Sequence, residues 1–221
     1  MRAPVLKEKC RPVEHFDDSL KTLAENMLET MYAAEGIGLA APQVSIPIQL
    51  VVIDIPKEEE SVTWLKVNGE DKELSDIMPL MFANPVLEPY GPMHPFHEGC
   101  LSVMKIRASV VRPDFVKATV LLIDGREITI DCNGLLARCL QHECDHLNGI
   151  LFVERVSSAQ KITLRNKKFT LLAAALMTVG TFTAASAASD DWTVGNYYYL
   201  KSGNKYLSLD GNKADSVVVK E

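Results

Sequence analysis

The stretch from Leu135 to Leu147 limits the fold more than any other part of the chain. Its apolar residues recur at helical spacing, Asn133-Gly134 stands ahead of it, and Asn148-Gly149 stops it. Inside it lies His142-Glu143-Cys144-Asp145-His146. Four residues along a helix amount to about 40° of net rotation, so both imidazoles leave the same face about one turn apart. They can then hold one metal ion. Glu143 projects beside them, placed to take a proton from water activated at such an ion rather than to serve as a ligand. The alternative is a solvated helix face that bears these residues by accident. Cys144 lies about 200° round the helix from His142 and is expected in the core.

Two histidines leave a tetrahedral ion short of a third protein donor, and Glu98-Gly99-Cys100-Leu101-Ser102 offers one. A thiolate is a strong ligand for zinc or ferrous iron. Gly99 would let the backbone come close to the ion. Without the histidine pair, Cys100 would read as a buried thiol; with it, the ligand reading is preferred. A third segment, Gly36-Ile37-Gly38-Leu39-Ala40-Ala41-Pro42-Gln43, is rich in small residues. It lacks the Lys-Ser/Thr ending of a phosphate loop and the spacing of a dinucleotide turn, which argues against a nucleotide. A tight loop joining helix to strand is the plain reading, but it leaves Gln43 unexplained.

Around these segments, Leu20, Leu23, Ala24, Met27, Leu28, Met31 and Tyr32 predict an N-terminal amphipathic helix with Asp17 and Asp18 at its start. Ile48 to Ile55 is almost continuously apolar and β-branched, as in a buried strand. Lys57 to Pro79 is charged and shows little periodicity, so it reads as a surface insertion with a short hairpin at Asn68-Gly69. Leu80 to Leu87, Ala108 to Val111, Val116 to Ile123 and Glu127 to Cys132 read as strands, with a tight turn at Asp124-Gly125. The order of helix, several strands and helix predicts an α+β fold. Small mixed or antiparallel sheets are expected to pack around the central helix that carries the His-Glu-x-x-His pattern.

The chain has 221 residues, room for one full core plus an appendage. With 47% hydrophobic and 24% charged residues it is neither disordered nor polytopic. A net charge of -6 argues against direct nucleic-acid binding. Cys10, Cys100, Cys132, Cys139 and Cys144 lack the spacing of a secreted disulfide framework and point to a reducing cytosol.

Taken together, the three segments resemble the signature motifs of the peptide deformylase family in order, spacing and residues. The likeness runs from about Ala3 to Gln160, although only three residues precede Pro4-Val5-Leu6, where the family usually has a short lead. It implies a bacterial cytoplasmic hydrolase that removes the formyl group from the N-terminal methionine of nascent peptides, met at the ribosome. It implies that Cys100, His142 and His146 hold one Fe2+ ion, with Zn2+, Ni2+ or Co2+ tolerated. Glu143 would be the proton carrier, with Gln43 and the Leu101 backbone N-H stabilising the oxyanion. Ile37, Gly38, Leu135 and Cys139 would line the methionine pocket. Cys139 as a fourth ligand would close the position that catalysis needs open. Asp145 is expected to pair with an arginine such as Arg112.

These readings make residues 1-166 the catalytic domain and 167-221 an atypical tail. Residues 169-189 carry no charge, follow Arg165, Lys167 and Lys168, and end in Ala185-Ser186-Ala187, in the manner of a secretory signal peptide. Residues 190-221 turn to Tyr, Gly and Asn, like a short β stretch. A membrane anchor, a C-terminal helix from near Ser158 and a fusion after about Asn166 are the three readings. The signal-like register favours the fusion, and membrane contact follows only from an anchor. Two rival functions remain: a zinc peptidase, against which Cys100 and the Gly36 to Gln43 segment argue, and a non-catalytic metal-binding or membrane-tethered interaction protein in which the tail is the functional part and Glu143 is dispensable.

Overall fold

The computed structural model describes residues 4-57 and 62-164, and in the tail the strands at 200-202, 205-208 and 218-220. Helix α1 spans Asp18–Ala33, and the Asp17 carboxylate caps it by accepting from the backbone N-H groups of Ser19 and Leu20 at 3.0 and 3.1 Å. Strands β1 (Gly38–Ala40), β2 (Leu50–Ile53), β3 (Leu65–Val67), β4 (Glu70–Asp71), β5 (Leu80–Cys100), β6 (Val103–Leu122) and β7 (Glu127–Cys132) follow. Helix α2 covers Gly134–Leu147 and the short α3 Phe152–Arg155. Residues 158-164 are again helical. The seven strands form one antiparallel sheet in the order β1-β2-β5-β6-β7-β3-β4. The fold is therefore α+β, with an antiparallel sheet packed around helices and the central helix bearing the His-Glu-x-x-His pattern, as expected.

Alternation along β2 explains why its sequence is apolar throughout. Val51 and Ile53 face a core shared with Leu136, Ala137, Leu140 and Leu147 of α2, whereas Leu50 and Val52 face Leu20, Ala24, Met27 and Met31 of α1. A strand covered on both faces has no polar side to show. Cys144 joins the α2 core, as its angle on the helix requires. A third cluster packs Val103, Ala108 and Val110 of β6 against Leu151, Phe152 and Val153.

Strands β5 and β6 run far beyond the expected segments, and β6 absorbs Ala108 to Val111 and the expected Val116 to Ile123 strand as far as Leu122. β5 pairs with β2 only over Leu80 to Ala83, and β6 with β7 only over Val116 to Leu121. The remainder is a two-stranded ribbon with no strand on its outer sides among the described residues. Proline is tolerated there because a ring nitrogen facing outward costs no ladder bond. Pro89, Pro92, Pro95 and Pro113 all lie in this part, and the ladder slips its register between Tyr90 and Met93. Those prolines concealed the ribbon in the sequence.

The charged segment after Lys57 is more than a surface insertion. Asn68 and Gly69, at φ 52° and 83°, form the expected hairpin turn between β3 and β4. β3 then extends the main sheet by pairing with β7, and buries Leu65 opposite Cys132. The tail strands β8 (Leu200–Ser202), β9 (Lys205–Ser208) and β10 (Val218–Lys220) form a separate antiparallel sheet. The signal-like residues 169-189 lie outside the described residues. Among the described residues no helix is long and apolar enough to cross a membrane.

Because Leu140 is fully buried in the face of α2 that meets the sheet, Leu140→Ala is expected to lower the unfolding free energy by about 2 to 5 kcal/mol. Urea titration of both proteins under metal-free conditions checks this.

Candidate metal centre

Helix α2 presents His142 and His146 on one face, and the C-terminal end of β5 brings Cys100 to them. One ligand atom from each of the three residues lies within 4.8 Å of the others. Cys100 Sγ is 3.2 Å from His146 Nε2. Donors bound to one tetrahedral ion at 2.0 to 2.3 Å sit roughly 3.3 to 3.8 Å apart, and this spacing is close to the lower end of that range. His142 gives its Nδ1 to Glu98 Oε2 at 3.0 Å, which leaves Nε2 for an ion. Cys100 is half-buried. The other four thiols are buried, and burial raises them, Cys10 to about 11. They are neutral packing groups.

Charge surrounds the pair of histidines. Burial alone would raise the Glu98 carboxyl, but its bonds to His142 and Arg112 hold it at about 2. Burial alone would lower His142; contacts with Cys100 and Glu98 raise it to about 10 in the absence of a cation. Burial drives His146 well below its ordinary value, so it is neutral and ready to bind metal. His146 Nδ1 and Glu143 Oε2 are buried without a hydrogen-bond partner among the described residues. A site holding an acceptor-rich donor set and an unsatisfied carboxylate oxygen fits a divalent cation. Burial also pushes Glu143 up to about 7, close to the range where a proton carrier works best.

The Gly36 to Gln43 segment is partly strand rather than loop, because β1 pairs with β2. Its position explains Gly38: a Cβ there would stand 2.5 Å from Glu143 Oε1 and 2.7 Å from Cys139 Sγ. Gln43 is fixed by accepting from the Ala40 N-H at 2.8 Å. Its amide nitrogen is thereby aimed at Ser102 Oγ, 3.2 Å away, with Cys100 Sγ at 3.8 Å. A cleft of about 1040 Å3 opens in front of these groups. Ile37, Gly38, Leu135 and Cys139 line it together with Leu101, His142 and Glu143.

Arg112 pairs with Asp145 at 2.7 Å and with Glu98 at 2.7 and 3.0 Å. Asp145 also receives Arg155, whose Nε lies 3.0 Å from Oδ2. The sequence suggested the Arg112 to Asp145 pair but assigned no role to Glu98, Arg155 or Ser102. An acidic residue two positions before a metal-ligating cysteine was the available signal for Glu98, since ligating histidines usually hand their second nitrogen to a carboxylate.

Glu98 has a depressed folded value, so its stabilisation is complete above the ordinary 4.5 and is lost as pH falls toward about 2. In metal-free protein, the unfolding midpoint of Glu98→Gln is therefore expected to fall less steeply across that window than that of the unchanged chain. Thermal melts at several pH values read the difference.

Comparison with known proteins agrees with this geometry. The family model described as Polypeptide deformylase matches residues 1–162. A peptide deformylase of Opitutus terrae is 42% identical over 163 residues, covering 73% of this chain and 84% of the relative. One from Brucella suis is 42% identical over 171 residues, covering 77% and 89%. Among solved structures, the Synechococcus elongatus enzyme in complex with actinonin superposes with a TM-score of 0.62 at 39% identity, covering 75% of this chain and 83% of that one. The Legionella pneumophila enzyme gives 0.61 at 38%, covering 77% and 92%. With the family model matching well over half its length and its motif residues gathered into one metal-binding cluster, this chain belongs to the polypeptide deformylase family.

Proposed function

We infer that this chain carries out its family's reaction, the metal-dependent removal of the formyl group from the N-terminal methionine of nascent polypeptides, through the residues gathered at the cleft. The carrying observation is the convergence of Cys100, His142 and His146 beside a buried carboxylate that has no partner for one of its oxygens. Cys100, His142 and His146 hold the ion, which we assign as Fe2+, with Zn2+, Ni2+ or Co2+ able to replace it. When bound, the ion supplies a Lewis acid that makes water nucleophilic at neutral pH. Glu143 takes the proton released as water attacks the formyl carbon, and returns it to the amine as the C-N bond breaks. Formate and a free N-terminal methionine leave. The Gln43 amide and the backbone N-H of Leu101 stabilise the oxyanion of the tetrahedral intermediate.

The apolar residues Ile37, Leu135 and Cys139 take the methionine side chain, and Gly38 lets that pocket approach Glu143. Residues 1-166 form the catalytic unit, an assignment supported by the family match to residues 1–162. The tail, 167-221, is dispensable to the chemistry and reads as a fusion. A cytoplasmic location beside the ribosome suits an enzyme of nascent chains with a thiol ligand that is half-buried and not disulfide-bonded.

The full chain, prepared without oxygen and loaded with Fe2+, is expected to release formate from a formyl-Met peptide, and the fragment 1-166 to do the same. Glu143→Ala should lose about 10²- to 10⁴-fold in kcat/KM while keeping one metal per chain. Cys100→Ala should lose both metal and activity. Full activity in Glu143→Ala would overturn the proton-carrier role, and an inactive wild-type chain with one bound metal would overturn the function. Gly38→Ala is expected to retain the metal and lose activity, since its Cβ displaces the Glu143 carboxylate.

A further inference from the structure

The segment Glu98-Gly99-Cys100-Leu101-Ser102 ends in a residue that the chemistry above does not use. Leu101 and Ser102 make the tight turn between Cys100 and Val103, which pair across the ladder. Serine suits a turn because its hydroxyl can bond backbone groups close by. Here the hydroxyl serves a distant partner instead. Ser102 is 4% exposed, and its Oγ accepts from Gln43 Nε2 at 3.2 Å, across 59 positions of sequence. A turn alone requires no such bond. Gln43 lines the cleft, and Ser102 lies buried behind it.

Both ends of the Gln43 amide are held. A backbone N-H can only donate, so the bond from Ala40 at 2.8 Å fixes which end of the amide is oxygen. That bond alone leaves the amide plane free to swing about the oxygen. The bond to Ser102 stops the swing and occupies one of the two amide protons. The other proton is left on the side of Cys100 Sγ, which stands 3.8 Å from the nitrogen. So long a contact is weak, and a better acceptor formed beside the metal ligands can take its place.

Resting on the reading of Gln43 as an oxyanion donor, we propose that Ser102 is a positioning residue for deformylation: by accepting one Gln43 amide proton, it turns the other toward the oxyanion. A donor already aimed where charge develops needs no reorientation as the intermediate forms, whereas a swinging amide does. The formyl oxygen carries little charge before attack. The contribution of Ser102 therefore falls on kcat and not on KM.

The test is a double-variant cycle on the metal-loaded full chain with a formyl-Met peptide. Gln43→Ala is expected to lose about 10²- to 10³-fold in kcat, and Ser102→Ala about tenfold, each with KM nearly unchanged and one metal per chain. The double variant should be no slower than Gln43→Ala, because Ser102 acts only through the amide. Threonine keeps the acceptor and valine, of nearly the same shape, lacks it, so Ser102→Thr should recover kcat over Ser102→Val. In isotope-labelled, zinc-loaded protein, one proton of the Gln43 side-chain amide should exchange slowly with solvent. Ser102→Thr should keep this NMR signature and Ser102→Val lose it.

Losses that multiply in the double variant would overturn the proposal, since they would place the effect of Ser102 in the turn. Full kcat in Ser102→Ala beside a slow Gln43→Ala would sink the role of Ser102 and leave that of Gln43 standing. Full kcat in Gln43→Ala would remove the oxyanion donor and this inference together. If the threonine and valine variants fail to fold, Ser102→Ala and the cycle decide.

Discussion

A buried guanidinium joins the two halves of the metal site. Arg112, on β6 and 4% exposed, reaches Glu98 on β5 with two nitrogens and Asp145 on α2 with a third. Glu98 in turn holds His142, and Asp145 is held from its other side by Arg155. The strand that delivers Cys100 and the helix that delivers both histidines are therefore tied together by charge. Such an arrangement need not add stability over an apolar core, because each buried ion has lost its water. What it adds is position. Removing any one partner strands the others, so the helix cannot rotate or slide against the ribbon without exposing an unpaired charge.

Close approach does the rest. β1 lies against α2 at Gly38, where a side chain would collide with Glu143 and Cys139. On the same segment, Gln43 is held by the backbone of Ala40 and directed toward Ser102 and Cys100. The chemistry proposed for this cleft would need its metal ligands, its proton carrier and its oxyanion donors fixed at once. Here three separate pieces of chain meet within one cleft, each anchored by a different force: helix packing, a charge network and a small-residue contact. The ribbon of β5 and β6 is long enough to span from the main core, where it pairs with β2 and β7, to the cleft, where it ends at Cys100.

The helix that carries the histidines, the capped α1 and the doubly buried β2 were all legible, because each has a local period or a terminal signal that survives in one dimension. The metal-binding trio was legible too, since a ligand set is a matter of residue type and His142 and His146 share one helix. The ribbon was not, because its prolines signal a break in any strand with two neighbours, and only pairing decides that these strands have one. β3 was hidden for a related reason. A three-residue strand has too short a pattern to stand out from charged surroundings, and its place in the sheet comes from Leu65 meeting Cys132.

What the sequence determined by itself is therefore the chemistry: two imidazoles one turn apart, a carboxylate between them, a thiol and an amide in segments of recognisable order. These follow from residue identity and short-range geometry. Only the tertiary structure decided how that chemistry is held. The bond from Glu98 to His142, the bridge through Arg112, and the bond from Arg138 to the His94 carbonyl join residues 14 to 44 positions apart. No local pattern encodes such pairings, because each joins side chains that only the folded ribbon and α2 bring together.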